Sequence, residues 1–173
     1  MLNRWLSLTR RLPAPRRLAW YPPFWLMRIQ VLELGDDWRH VRIRLPLQLF
    51  TRNPGGGMFG GAIAALADPI APLACNRLFP GHAVWTRGLS LDFRREGRTD
   101  LELRFDVDPQ QEAAIAAELA RRGRATPQFA YALYDASDTL CVGVTNAVAI
   151  RPLNYRPQTP RQAGAPGAAA DKE

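Results

Sequence analysis

NPGGGMFGGAIAALADPIAPLACN, residues 53–76, decides how the rest of this 173-residue chain is read. Five glycines in seven positions (55–61) lead into an alanine-rich run, and Asp68 is the only charged residue between Arg52 and Arg77. The run from 60 to 79 has the composition of a long helix. At about 100° per residue from Gly61, the residues Ala64, Ala65, Asp68, Pro72 and Cys75 fall within about 60° of it, while Ile63, Leu66, Ile70 and Leu73 lie opposite. One face is large and apolar; the other is small and carries one acid. A helix without a charged stripe is expected to be covered all round, with a close neighbour over the small face. Pro69 and Pro72 each remove a backbone donor, so a kink is expected beside Asp68.

A lone carboxylate in such surroundings must be hydrogen-bonded, neutralised or used. The glycines supply bare N–H groups at the helix start, two turns from Asp68 on the same face, where negative charge is favoured. A carbonyl turning into an oxyanion could be held there, with Asp68 beside a water. That combination outlines acyl-transfer chemistry.

Outward from this stretch the chain reads as alternating strands. MRIQVLEL (27–34) and WRHVRIRLPL (38–47) flank a Gly-Asp turn as an antiparallel hairpin. VWTRGLSLDFRR (84–95) and TDLELRFDV (99–107) read as a second. PQQEAAIAAELARRG (109–123) is a helix with proline at its start and glycine past its end. QFAYALYDA (128–136) and TLCVGVTNAVAIRP (139–152) form the last strand pair. Strands with one apolar face predict an α+β fold, a six-stranded antiparallel sheet curved over the long helix. The domain is expected over 21–155, after a basic amphipathic segment (1–20) and before a disordered Pro/Gly/Ala tail (156–173).

Composition narrows the classes. At 47% hydrophobic the chain can build a core, and its net charge of +7 is almost all arginine, with Lys172 the single lysine. The arginines are scattered and mixed with acids, so no nucleic-acid partner is expected. Two cysteines in no metal-like spacing predict neither a disulfide framework nor a metal site, and point to a reducing, cytoplasmic setting. No run is apolar enough to span a bilayer. GGGMFG (55–60) matches a dinucleotide-binding pattern, but the strand before it alternates with arginine and contains Pro46, and no acid follows about 20 residues on. No cofactor is expected.

These residues resemble the hotdog fold, and more closely the phenylacetate-degradation type of acyl-CoA thioesterase. That family carries an Asn, a His-Gly-Gly at the helix start and an Asp seven residues after the second Gly; Asn53, Phe59-Gly60-Gly61 and Asp68 stand in those places. The YPPF start, the FGG and ADP variants and DFRREG (92–97) are similar to a branch described as tetrameric acyl-CoA thioesterases. The resemblance implies a hydrolase of acyl-CoA acting as a homo-oligomer, dimer or tetramer, with its site between subunits. Asp68 would be general base or nucleophile. The Gly61 N–H, with Gly60, would polarise the thioester carbonyl, and Asn53 would orient substrate or water. Phe59 departs from the family's His and cannot hydrogen-bond; with Met58 it would wall an acyl pocket. A domain that binds acyl-CoA or an acyl carrier without cleaving it is the alternative.

The other polar residues read more plainly. Arg87 could meet the phosphates of coenzyme A and Asn146 could line the pocket, although a solvated sheet face and a bulge explain them as well. Cys75 is expected to pack rather than react, His82 to lie in a surface loop, and His40 to be solvated.

Overall fold

The computed structural model describes residues 13–155, so the readings of residues 1–12 and 156–173 lie outside the described residues. Two short helices, α1 (Ala14–Ala19) and α2 (Pro22–Leu26), lead into β1 (Gln30–Leu34) and β2 (His40–Leu45). The YPPFW segment is helical rather than a joint, because each short helix carries its proline in the first turn, where a missing N–H costs nothing. Then follow α3 (Gly60–Ala67), α4 (Ile70–Leu78), β3 (His82–Phe93), β4 (Leu101–Asp106), α5 (Pro109–Arg122), β5 (Gln128–Tyr134) and β6 (Leu140–Pro152).

The six strands form one antiparallel sheet in the order β1-β2-β4-β5-β6-β3. The alternation in β2 and β4 sets their inward face: Val41, Ile43 and Leu45 pair with Phe105, Leu103 and Leu101, and all six are fully buried. Ile63, Leu66 and Ile70 of the central helical stretch are buried in the same core. Each such side chain contributes about 1.5–3 kcal/mol over its exposed state. The predicted hairpins β1–β2 and β5–β6 form. Helix α5 starts on Asp108, whose carboxylate accepts from the Gln110 N–H, and ends on Gly123 at φ 64°.

The expected hairpin between β3 and β4 does not form. β3 pairs only with β6 and is an edge strand, whereas β4 lies between β2 and β5. The segment joining them is held by tertiary contacts instead of closing a turn. The Gly97 carbonyl accepts from the Met58 N–H at 2.7 Å, and Gly97 is buried against Leu101. The loop that ends β3 is thus fastened to the loop that begins the central helix.

The candidate active site

The central helix is broken where its sequence carries the prolines. α3 ends at Ala67, Asp68 is still in helical conformation, and Pro69 immediately precedes α4. Pro72 has no N–H to give the Asp68 carbonyl, its partner in a regular helix. Two side chains supply the missing donors: Asn146 Nδ2 at 2.9 Å and Thr86 Oγ1 at 3.1 Å. The Ala67 carbonyl accepts from the Tyr131 hydroxyl at 2.7 Å, and that hydroxyl accepts from Asn146 Nδ2 at 3.1 Å. Both Asn146 amide hydrogens are therefore used, and its Oδ1 is buried with no partner among the described residues. Burial pushes the Tyr131 phenol above its ordinary range, so it stays protonated as a donor.

The break changes which residues face outward. Ile63, Leu66, Ala67 and Ile70 are buried, as the two stripes predict, and Gly61, Ala65 and Asp68 are exposed. Past Pro69 the phase shifts. Cys75, expected on the small face, is fully buried, while Leu73, expected in the core, lines a surface groove. The expectation of a helix covered all round also fails in the single chain, because the small face is open. Burial pushes the Cys75 thiol up to about 12, which keeps it a packing group.

Asp68, Pro72, Leu73, Trp85, Arg87 and Gly88 line that groove, which holds about 510 Å³. The Asp68 carboxylate makes no hydrogen bond or ion pair among the described residues. Arg87 reaches the groove because it is the extra residue of a β-bulge: Thr86 pairs with Val148 and Gly88 with Ala147, and Arg87 has no opposite number.

The glycine loop before α3 is tied internally. Asn53 Oδ1 accepts from the Gly57 N–H at 3.1 Å, and Asn53 Nδ2 donates to the Met58 carbonyl at 3.3 Å. Buried Thr51 accepts from the Phe59 N–H through its own carbonyl at 2.7 Å. No side chain caps α3, and among the described residues the N–H groups of Gly60 and Gly61 find no acceptor. Met58 is buried, whereas Phe59 is 52% exposed, its ring folded over Gly61 so that a Cβ there would collide with it.

The groove thus brings together Asp68 and Arg87, and the loop gathers Asn53, Met58, Phe59, Gly60 and Gly61. Asn146 joins neither; it sits behind the break, in the core. Thr86 and Tyr131 were not singled out in the sequence. The signal for Thr86 was the Asp68 carbonyl that Pro72 leaves without a donor; the Tyr131 bond to the Ala67 carbonyl had no such signal. His82, expected in a loop, opens β3 with its ring beside the carbonyls of Phe79 and Pro80. His40 is not simply solvated: Nε2 lies 2.5 Å from Glu33 and Nδ1 2.6 Å from Asp106.

An antiparallel sheet wrapped over a central helix, with this site at the helix, is the hotdog fold. Residues 16–150 match the family described as "Domain of unknown function (DUF4442)", and the chain belongs to that family. A Pseudomonas aeruginosa protein of unknown function, named a probable thioesterase, superposes with a TM-score of 0.68 at 20% identity, covering 80% of this chain and 97% of that one. A Chlorobaculum tepidum protein of unknown function gives 0.65 at 13% identity over 87% and 93%. A Haemophilus influenzae thioesterase gives 0.60 at 17% identity over 80% and 89%. No functionally curated protein matches.

Proposed function

We propose that this chain hydrolyses acyl thioesters, with acyl-CoA as the substrate class. The observation that carries the reading is an unpaired carboxylate on an open groove, on the same exposed helix face as two backbone N–H groups without acceptors. In this reading Asp68 activates water or attacks the thioester carbon. The Gly61 N–H, with Gly60, stabilises the negative charge that develops on the carbonyl oxygen. Arg87 meets the phosphates of the thiol carrier. Asn53 acts through the loop, by fixing the turn that aims the glycine amides, and Asn146 acts through the Asp68 backbone. The structures it resembles include thioesterases, which supports the class without naming a substrate.

The geometry asks for two chains. Seven residues of helix separate Gly61 from Asp68, about 10 Å along the axis. Base and oxyanion donors gather around a single carbonyl, and a span of that length along one α3 favours a site in which each end works with a second chain. A second copy laid antiparallel over the small face places one chain's Asp68 against the other's glycines. The open edge of β3 and the exposed Gly61, Ala65 and Asp68 suit such a contact.

Phe59 favours the second reading, acyl-thioester binding without cleavage, because its ring lies over Gly61. One assay separates the two. Thiol release is measured across short, medium, long and aryl acyl-CoAs for the wild type and Asp68→Asn. Hydrolysis is expected to fall by about 10²–10⁴-fold in the variant with its melting temperature unchanged. Equal turnover by both proteins removes Asp68 from the chemistry. Tight binding with no thiol release from any substrate establishes the second reading.

A further inference from the structure

A second surface, away from the groove of Asp68, collects large apolar side chains on the outside of the molecule. Trp20 at the end of α1 (58% exposed), Trp25 and Leu26 of α2 (63% and 46%) and Leu49 and Phe50 of the loop after β2 (82% and 57%) come from three segments. Trp20, Trp25, Leu26 and Phe50, with Arg28 and Ile29, line one groove of about 360 Å³. Single exposed apolar residues are ordinary, but a contiguous set of this size marks a contact surface. The presentation is fixed. Thr51 Oγ1 donates to the Pro46 carbonyl at 2.5 Å and accepts from the Gln48 N–H at 2.9 Å. Gln48 Nε2 donates to the Leu26 carbonyl at 3.2 Å, fastening the loop to α2.

The charge beside the groove is mostly positive; the carboxylate held by the 46–51 loop, Asp100, accepts from the Leu47 N–H at 2.9 Å. No carboxylate lines the groove. Arg16, Arg17, Arg28 and Arg52 are exposed on or beside the three segments. Six arginines precede the first acid of the chain, Glu33, and the stretch 46–59 contains Arg52 and no acid. Tryptophan and phenylalanine beside a cationic rim match the boundary of a lipid layer, where the rings sit at headgroup depth and arginine meets phosphate. Aromatics with arginine also mark protein interfaces; the exposed arginines beside a groove without a carboxylate favour the anionic lipid surface.

We infer that the face formed by α1, α2 and the 46–51 loop docks on an anionic lipid surface. It does so through Trp20, Trp25, Leu26, Leu49 and Phe50, with Arg16, Arg17 and Arg28 drawing it there. This inference does not depend on the proposed hydrolysis.

The test is co-sedimentation of the full chain with vesicles. The protein pellets with vesicles of equimolar phosphatidylglycerol and phosphatidylcholine, stays in solution with pure phosphatidylcholine, and is released as salt rises. Trp25→Ser/Phe50→Ser and, separately, Arg16→Gln/Arg17→Gln/Arg28→Gln each weaken binding about tenfold or more. Equal binding to both vesicle compositions overturns the proposal, as does unchanged binding by the variants. So does a change in molar mass of Trp25→Ser/Phe50→Ser by light scattering, which assigns the patch to a contact between copies. If the aromatic variant does not fold, the arginine variant decides alone.

Discussion

Asn146 shows how much can rest on a side chain that never touches the groove. It is fully buried, and its two amide hydrogens serve the Asp68 carbonyl and the Tyr131 hydroxyl. Asn146→Ala leaves that carbonyl dependent on Thr86 alone and removes the donor to the phenol. Losing hydrogen bonds to buried groups costs about 1–3 kcal/mol, and a chemical-denaturation midpoint should register it. Asn146→Asp is expected to be worse, since it buries a charge opposite a carbonyl oxygen. At this scale the sequence was informative where chemistry forced a choice. The isolation of Asp68 and the release of carbonyls by Pro69 and Pro72 could both be read directly. The donors gathered at the break could not, because Thr86, Tyr131 and Asn146 lie on three strands whose register is set by pairing, not by local pattern.

At the scale of elements, β1, β2 and β4 are clamped by charge on their solvent side. His40 sits between Glu33 of β1 and Asp106 of β4, and Arg42 also bonds Asp106 at 2.7 Å. Hydrogen bonds to Glu33 first and Asp106 next raise the His40 pKa above 6.5. A folded-state pKa above the unfolded one means that the clamp's stabilisation is complete below about pH 6.5 and is lost as pH rises through the folded value. Thermal melts of wild type and His40→Gln should therefore differ most at mildly acidic pH and converge in alkali; a gap that widens in alkali contradicts the clamp. Alternation fixed the inward faces of β2 and β4 in advance, and cap chemistry fixed the ends of α5. The partner of β3 was not legible, because the turn-like EGR at 96–98 also suits a loop held by Met58 and Leu101. The helix phase beyond Pro69 was lost for a related reason: a proline break resets the rotation that stripe arguments extrapolate.

For the whole molecule, the sequence carried the layer arrangement, one sheet over one helix, and left open what covers the small helix face. In the single chain nothing among the described residues does. The proposed second copy leads to a direct measurement. Light scattering is expected to give a multiple of 19.4 kDa, and Ala65→Arg, at an exposed position of that face, is expected to yield the monomer and lose thiol release while keeping Asp68 and Gly61. A monomeric wild type with full activity contradicts the shared site.

In the proposed two-chain site, the two-turn interval between Gly61 and Asp68 would also let defective chains repair one another. Gly61→Pro deletes one amide in the first helical turn, where proline is tolerated once the exposed Phe59 ring swings off the added Cβ, and Asp68→Asn deletes the acid. Each homogeneous preparation is expected to lose thiol release. When they are unfolded and reassembled together, every hybrid pair would have one doubly damaged centre and one centre with both groups intact, and activity is expected to return from ingredients that have none.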